Sequence, residues 1–211
     1  HNFLALICDD RQGNENAISF AVLDISTGDF YVESTTLENL NNMVERLNPS
    51  EIVLPERLLG RPELFEFFAD RKKSLTPLPN SRFDALNARE RLEKIFDVST
   101  LDGFGSFEDR EITAASTLVD YVSLTQKGGL PRLKLPKRFE VGEFLEIDAS
   151  TRRNLELTRT QTGEFKGSLL EAIDFTLTAP GARLLAMHMA NPLHDVDAIN
   201  RRLDSVAYFI E

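Results

Sequence analysis

The spacing of apolar and polar residues changes period once along this chain. Residues 3–8 (FLALIC) and 18–25 (ISFAVLDI) are apolar runs of strand length. Turn chemistry at 26–29 (STGD) follows, and Phe30, Tyr31 and Val32 resume β propensity. Three strands on short loops predict an antiparallel meander. Thr35 and Glu38 have capping-box spacing, and Leu37, Leu40, Val44 and Leu47 form a helical stripe that Asn48 and Pro49 stop. Ile52, Val53 and Leu54 predict a short buried strand, and residues 62–70 a helix carrying Leu64, Phe65, Phe67 and Phe68. Residues 75–78 read as a strand interrupted by Pro77 and Pro79. Leu86, Leu92, Ile95 and Phe96 line one face of a helix within 83–96. Ser106 and Asp109 open another, with Ile112, Ala115, Val119 and Val122 as its stripe and Gly128 and Gly129 at its end.

The pattern turns wholly helical near residue 150. Phe144, Leu145 and Ile147 read as a short, largely buried extended run, and Asp148 and Ser150 as N-caps of a helix containing Leu155 and Leu157. Residues 168–175 form a short amphipathic piece. Thr178 caps a helix whose first turn admits Pro180, and Asn191 and Pro192 break it. Asp195 caps a last helix with Ile199, Leu203, Val206 and Ile210 on one face. That face expects cover from another segment or a second copy. The start at His1 and the finish inside a helical pattern read as an excised fragment.

Charge separates the same two regions. The chain of 211 residues carries a net −10. Residues 1–150 hold 17 basic and 26 acidic side chains, and 151–211 hold 7 and 8. The first region, at −9, repels a polyanion, so it is not expected to be a major DNA-contacting surface. The one basic cluster, Lys127, Arg132, Lys134, Lys137 and Arg138, starts one residue before and continues into the Gly- and Pro-containing stretch 128–144, which reads as a linker. It is a solvated linker, a contact to another domain or protein, or a phosphate contact. The single Cys8 excludes an internal disulfide and suits a reducing cytoplasm.

Candidate chemistry is sparse. Asp24 precedes the 26–29 turn and Asp29 is its last residue. They read as favourable turn residues, as carboxylates for metal ions that activate water against a phosphodiester, or as part of a phosphate loop. His1, His188 and His194 lack metal-ligand spacing to one another or to Cys8. No G-x-x-x-x-G-K-[ST] motif occurs, so no P-loop lies within these residues.

The segments LEIDASTRRNLELT (145–158) and SLLEAIDFTLTAPGARLLAMHMANPLHDVDAINRRLDSVAYFIE (168–211) resemble the MutS family of bacterial DNA mismatch repair proteins. The junction matches are Leu145, Asp148, Thr151, Arg152, Arg153, Asn154, Leu155, Glu156 and Leu157. Asp174, Thr176, Gly181, Arg183, Leu184, Leu185, Pro192, Leu193, Asp195, Arg202 and Leu203 continue them. His188 departs from the family's usual Trp. The resemblance implies an α/β ribonuclease-H-like connector domain at 1–127, a linker at 128–144, and the N-terminal part of an all-α core (lever) domain at 145–211. The order β-β-β-α-β-α-β-α suits that fold.

It further implies a non-catalytic piece that couples mismatch recognition to an ATPase and presents a surface to MutL. ATP and Mg would bind only in an ATPase domain outside these residues. The partners would be the remaining domains, a second MutS subunit and MutL, with mismatched DNA held through the full-length protein. The opposing reading is a metal-dependent nuclease or phosphotransferase using Asp24 and Asp29. From the charge pattern, duplex DNA should bind this chain at about micromolar affinity or weaker at physiological salt, and more weakly still as salt rises. Fluorescence anisotropy with labelled duplex checks this; nanomolar binding would contradict it.

Overall fold

The computed structural model describes residues 3–9, 16–102, 105–126, 132–138, 144–145 and 147–210. The chain divides into two compact units, His1–Val44 with Asn48–Phe139, and Glu45–Leu47 with Glu140–Glu211.

The first unit is built on a six-stranded mixed sheet. β1 (Phe3–Asp9), β2 (Ala17–Asp24) and β3 (Phe30–Thr36) form the antiparallel meander, and β4 (Glu51–Pro55) and β5 (Leu75–Leu78) run parallel beyond β1. A two-residue β6 (Lys137–Arg138) lies parallel to β3, giving the order β5-β4-β1-β2-β3-β6. Every residue of β2 is buried, as a central strand covered on both faces requires. β5 occupies one edge, where Pro77 removes a donor without breaking an interior ladder.

Three helices of this unit differ from expectation at their starts. α1 (Leu37–Leu47) begins late because β3 runs through Thr36. Thr36 is the N-cap, without a side-chain cap bond, so the Thr35–Glu38 capping box does not form. Asn48 ends α1 in the left-handed region, φ 41°. The helix expected at 62–70 is a 3₁₀ turn at Pro62–Leu64 followed by α2 (Phe65–Arg71), which buries Phe67 and Phe68 but exposes Phe65. α3 covers only Ala88–Phe96. The Asp84 carboxylate accepts the Leu86 N–H at 3.0 Å and the Asn87 amide at 2.8 Å, and this local turn competes with helix. Leu86 is therefore 93% exposed and not on a buried face.

α4 (Asp109–Thr125) is the central helix, packing against β1, β2, β3 and α3. Its expected stripe Ile112, Ala115, Val119 and Val122 is buried, together with Ala114, Leu118, Thr113, Ser116, Thr117 and Glu111. These side chains meet Leu4, Leu6, Cys8, Ala21, Leu23, Phe30 and Val32 of the sheet. Its N-cap is Glu108. Glu108 and Glu111 close a reciprocal capping box, with the Glu108 N–H donating to Glu111 at 2.8 Å. The helix ends at Thr125, before Gly128 and Gly129, which lie outside the described residues.

The second unit holds α5 (Ala149–Asn154), α6 (Leu169–Ile173), α7 (Ala179–Ala190) and α8 (Val196–Tyr208). Each opens on a side-chain cap: Asp148 accepts from the Thr151 N–H, Ser168 from Glu171, Thr178 from Gly181 and Asp195 from Ala198. Short, exposed helices depend on such local bonds, because their packing stabilises them little. Ile199, Leu203, Val206 and Ile210 of the last face are 36%, 59%, 54% and 79% exposed. No helix among the described residues is long and apolar enough to cross a membrane.

Two leucines separate these environments. Leu118→Ala, at a fully buried site, should destabilise the first unit by about 2–4 kcal/mol. Leu86→Ala should change it by no more than about 0.5 kcal/mol. Urea unfolding of both variants checks the pair.

Candidate functional site

The turn between β2 and β3 holds the two aspartates of the nuclease reading. Asp24 is buried and shapes the turn: its carboxylate accepts the Ser26 N–H at 2.8 Å, and its carbonyl accepts the Gly28 N–H at 2.8 Å. Asp29 accepts from the Thr27 hydroxyl at 2.7 Å and pairs with Lys134 at 2.7 Å. Burial opposes its charge, but the bonds from Lys134 and Thr27 outweigh that and hold its pKa below the usual carboxylate value. No group of three His, Cys, Asp or Glu side chains among the described residues is placed to hold a metal ion. Nothing in this geometry supports a nuclease; the two aspartates shape a turn.

What the turn does is dock the basic segment. Gly28 sits at φ +74°, and a Cβ there would lie 2.1 Å from the Arg132 carbonyl oxygen. The Gly28 carbonyl accepts the Lys134 N–H at 2.9 Å. Residues 132–138, part of the expected linker, are thereby laid along the sheet edge. Leu133 packs against the core, Pro136 is buried, and Lys137–Arg138 pairs with Tyr31–Val32. The Arg138 guanidinium donates to the Ser106 carbonyl at 2.8 Å and to Glu111 at 2.6 Å. Lys134 and Arg138 are thus engaged in ion pairs, whereas Arg132 and Lys137 are exposed. Lys127 lies outside the described residues.

Glu111 is a buried structural carboxylate that the apolar stripe of its helix does not reveal. It is 1% exposed, yet it accepts from the Ser34 hydroxyl at 3.0 Å, from the Glu108 N–H and from Arg138. The signal was its place three residues after Glu108; its partners in β3 and β6 are remote in sequence.

A cleft of about 740 Å³ opens at the ends of β1 and β4, lined in part by Cys8, Asp9, Arg57, Phe83, Asp84 and Arg110. Its lining carries four carboxylates, Asp9, Asp84, Glu108 and Asp109, against two arginines, Arg57 and Arg110, both engaged in ion pairs. Buried Asp9 pairs with Arg57 and, at 3.7 Å, with Arg61; Arg110 pairs with Glu108. Arg57 also donates to Asn80 and lies 5.7 Å over the Phe83 ring. Among the described residues no histidine lines the cleft to activate Cys8.

The junction residues serve local architecture. The Asp148 carboxylate accepts from the hydroxyls of Ser150 and Thr151 and from the Thr151 N–H, which together hold its pKa far below the usual range. Arg152 is buried and donates to the Ala190 carbonyl at 2.6 Å, tying α5 to the end of α7. Arg153, Asn154 and Leu155 are exposed. Glu156, at φ 47°, ends the helical turn, and its carbonyl and that of buried Leu157 accept the Leu169 and Leu170 N–H groups. The expected helix through Leu157 therefore stops at Asn154. The run before it is not largely buried: Leu145 is 49% exposed, and Phe144 makes a single bridge to Leu193. His188 is half-buried, and burial, then Arg202, pushes its pKa below the ordinary value; His194 is exposed, and His1 lies outside the described residues.

Gly28→Ala should cost the first unit about 2–4 kcal/mol, combining a left-handed backbone with the Arg132 clash. Gly60→Ala, where an added Cβ meets nothing within 4 Å, should stay within about 0.5 kcal/mol. Denaturant midpoints of the two variants measure the contrast.

Two family models match the chain, MutS domain II over residues 2–137 and MutS domain III over residues 150–211. The DNA mismatch repair protein MutS of Azorhizobium caulinodans is 42% identical over 212 aligned residues, covering 100% of this chain and 23% of that protein. The MutS of Nitrobacter hamburgensis is 43% identical over 210, covering 99% and 23%. That of Ehrlichia chaffeensis is 40% identical over 192, covering 91% and 24%. The chain spans about a quarter of the length of these curated relatives. A mixed-sheet unit followed by a capped helical unit, each matched in order by its own model, places this chain in the MutS family, covering its connector (domain II) and part of its core (domain III).

Proposed function

We propose that this chain works as the connector and the start of the core of a DNA mismatch repair protein. Its role is mechanical: it couples a mismatch-reading module to an ATPase and offers a surface to MutL. The observation that carries this reading is the pair of consecutive domain matches, with 42% identity over the full length of the chain. The connector is read as ribonuclease-H-like. A three-stranded meander extended by two parallel strands beyond β1 supports that assignment. Its domains are taken as 1–127 and 145–211 with a linker at 128–144, although residues 132–138 of that linker lie on the sheet.

The chemistry of repair lies elsewhere in the parent. ATP and Mg belong to an ATPase domain, and DNA is held by the full-length dimer in the cytoplasm. The acidic balance of residues 1–150 supports weak DNA contact by this piece. The exposed apolar face of α8 is the surface that the rest of the core covers.

Replacing the matching region of the Azorhizobium caulinodans protein with residues 1–211 tests this. The chimera should restore a low spontaneous mutation rate to a bacterial strain lacking its own MutS. A folded chimera that hydrolyses ATP but leaves the mutation rate at the deficient level would overturn the proposal.

A further inference from the structure

Residues 132–138 lie against the first unit through an unusual combination of contacts. Only two of the residues join the sheet, as β6, and both are exposed. One backbone bond, from the Lys134 N–H to the Gly28 carbonyl, fixes the near end. Two ion pairs, Lys134 to Asp29 and Arg138 to Glu111, and the Arg138 bond to the Ser106 carbonyl hold the rest. Lys134 and Arg138 are 58% and 48% exposed, so the Lys134–Asp29 pair is open to solvent and to screening, whereas the Arg138 pair is open on the arginine side only, its Glu111 being 1% exposed. Leu133 and Pro136 supply the apolar anchorage, and Leu133 is only partly buried.

Compare the strands beneath. β1 and β2 share a seven-residue register inside the core, almost wholly buried. The first unit thus contains a strongly held sheet and a weakly held edge strand on its surface. Local opening follows such differences in burial and in the exposure of backbone bonds.

The geometry points to residues 132–138 as a detachable strap. It exchanges between a docked form, seen here, and an open form in which β6 leaves β3 while the other five strands persist. The docked form dominates, because opening uncovers Leu133 and Pro136 and leaves buried Glu111 without its cation. Ser34 and the Glu108 N–H remain on Glu111, so opening does not strand a bare carboxylate in the core. Opening frees seven residues, about 23–25 Å of chain when fully extended. Raising salt or removing either ion pair shifts the balance towards the open form.

This deepens the coupling reading above and rests on it only for its consequence, a segment of the connector that can leave its sheet. The exchange itself is measurable without that reading. NMR hydrogen exchange on the 211-residue chain should show the Lys134 amide opening separately from the β1–β2 amides. Its protection should fall about three- to tenfold between 50 and 500 mM NaCl, and by a similar factor in Lys134→Met and in Asp29→Asn at low salt. The β1–β2 amides of the same samples should change less than about twofold, which also shows that each variant is folded. A Lys134 amide protected as strongly as the β1–β2 amides, or one indifferent to salt and to both substitutions, would overturn the strap. Failure of the chimera to repair, with the strap exchange intact, would instead remove the coupling reading alone.

Discussion

A buried carboxylate with three donors organises the first unit. Glu111 sits in the first turn of α4, where the unpaired N–H groups of a helix favour negative charge. An ionised carboxylate out of water is costly unless every oxygen is engaged. Here the Glu108 N–H closes the helix start, Ser34 reaches across from β3, and Arg138 arrives from β6. One side chain therefore fixes where α4 begins, how it registers on the meander, and where the chain runs after it leaves the helix. The apolar contacts of α4 give the unit its bulk stabilisation, but they do not specify the path of residues 132–138.

Local signals were legible in the sequence, and long-range ones were not. Thr178, Asp195 and Asp148 cap the helices expected of them because a cap needs only the amide three residues on. Asn48 ends α1, and the three strands of the meander fall where apolar runs put them. The match to the family rested in part on the junction residues, whose roles are mostly short-range, capping and a left-handed turn, with one longer bond from Arg152 to the end of α7. By contrast, Lys137 and Arg138 have no strand propensity and are set in place by partners far away. Gly28 looked like an ordinary turn glycine; the approach of Arg132, distant in sequence, makes it obligatory. Leu86 was misplaced because the side chain of Asp84 offered the backbone a turn instead of a helix.

The same comparison reassigns the acidic turn. Carboxylates at a strand end can bind metal ions or build a turn, and their neighbours decide which. Asp24 and Asp29 spend their oxygens on backbone amides, a hydroxyl and Lys134. The basic cluster that stood out in an acidic chain is in part consumed by the same acids. Charge in this unit serves to hold a segment in place. The helical unit follows another logic: its caps secure short helices while α8 keeps an apolar face exposed.

The most direct test of this account is a double-mutant cycle between Glu111 and Arg138, using Glu111→Gln, Arg138→Met and the pair, read by urea unfolding of the first unit. If the buried carboxylate and the segment's arginine act as one unit, the two losses should fail to add, with a coupling of at least about 1 kcal/mol. Losses that sum to within about 0.3 kcal/mol would show that Arg138 merely lies beside Glu111, and that the path of residues 132–138 is set by something else.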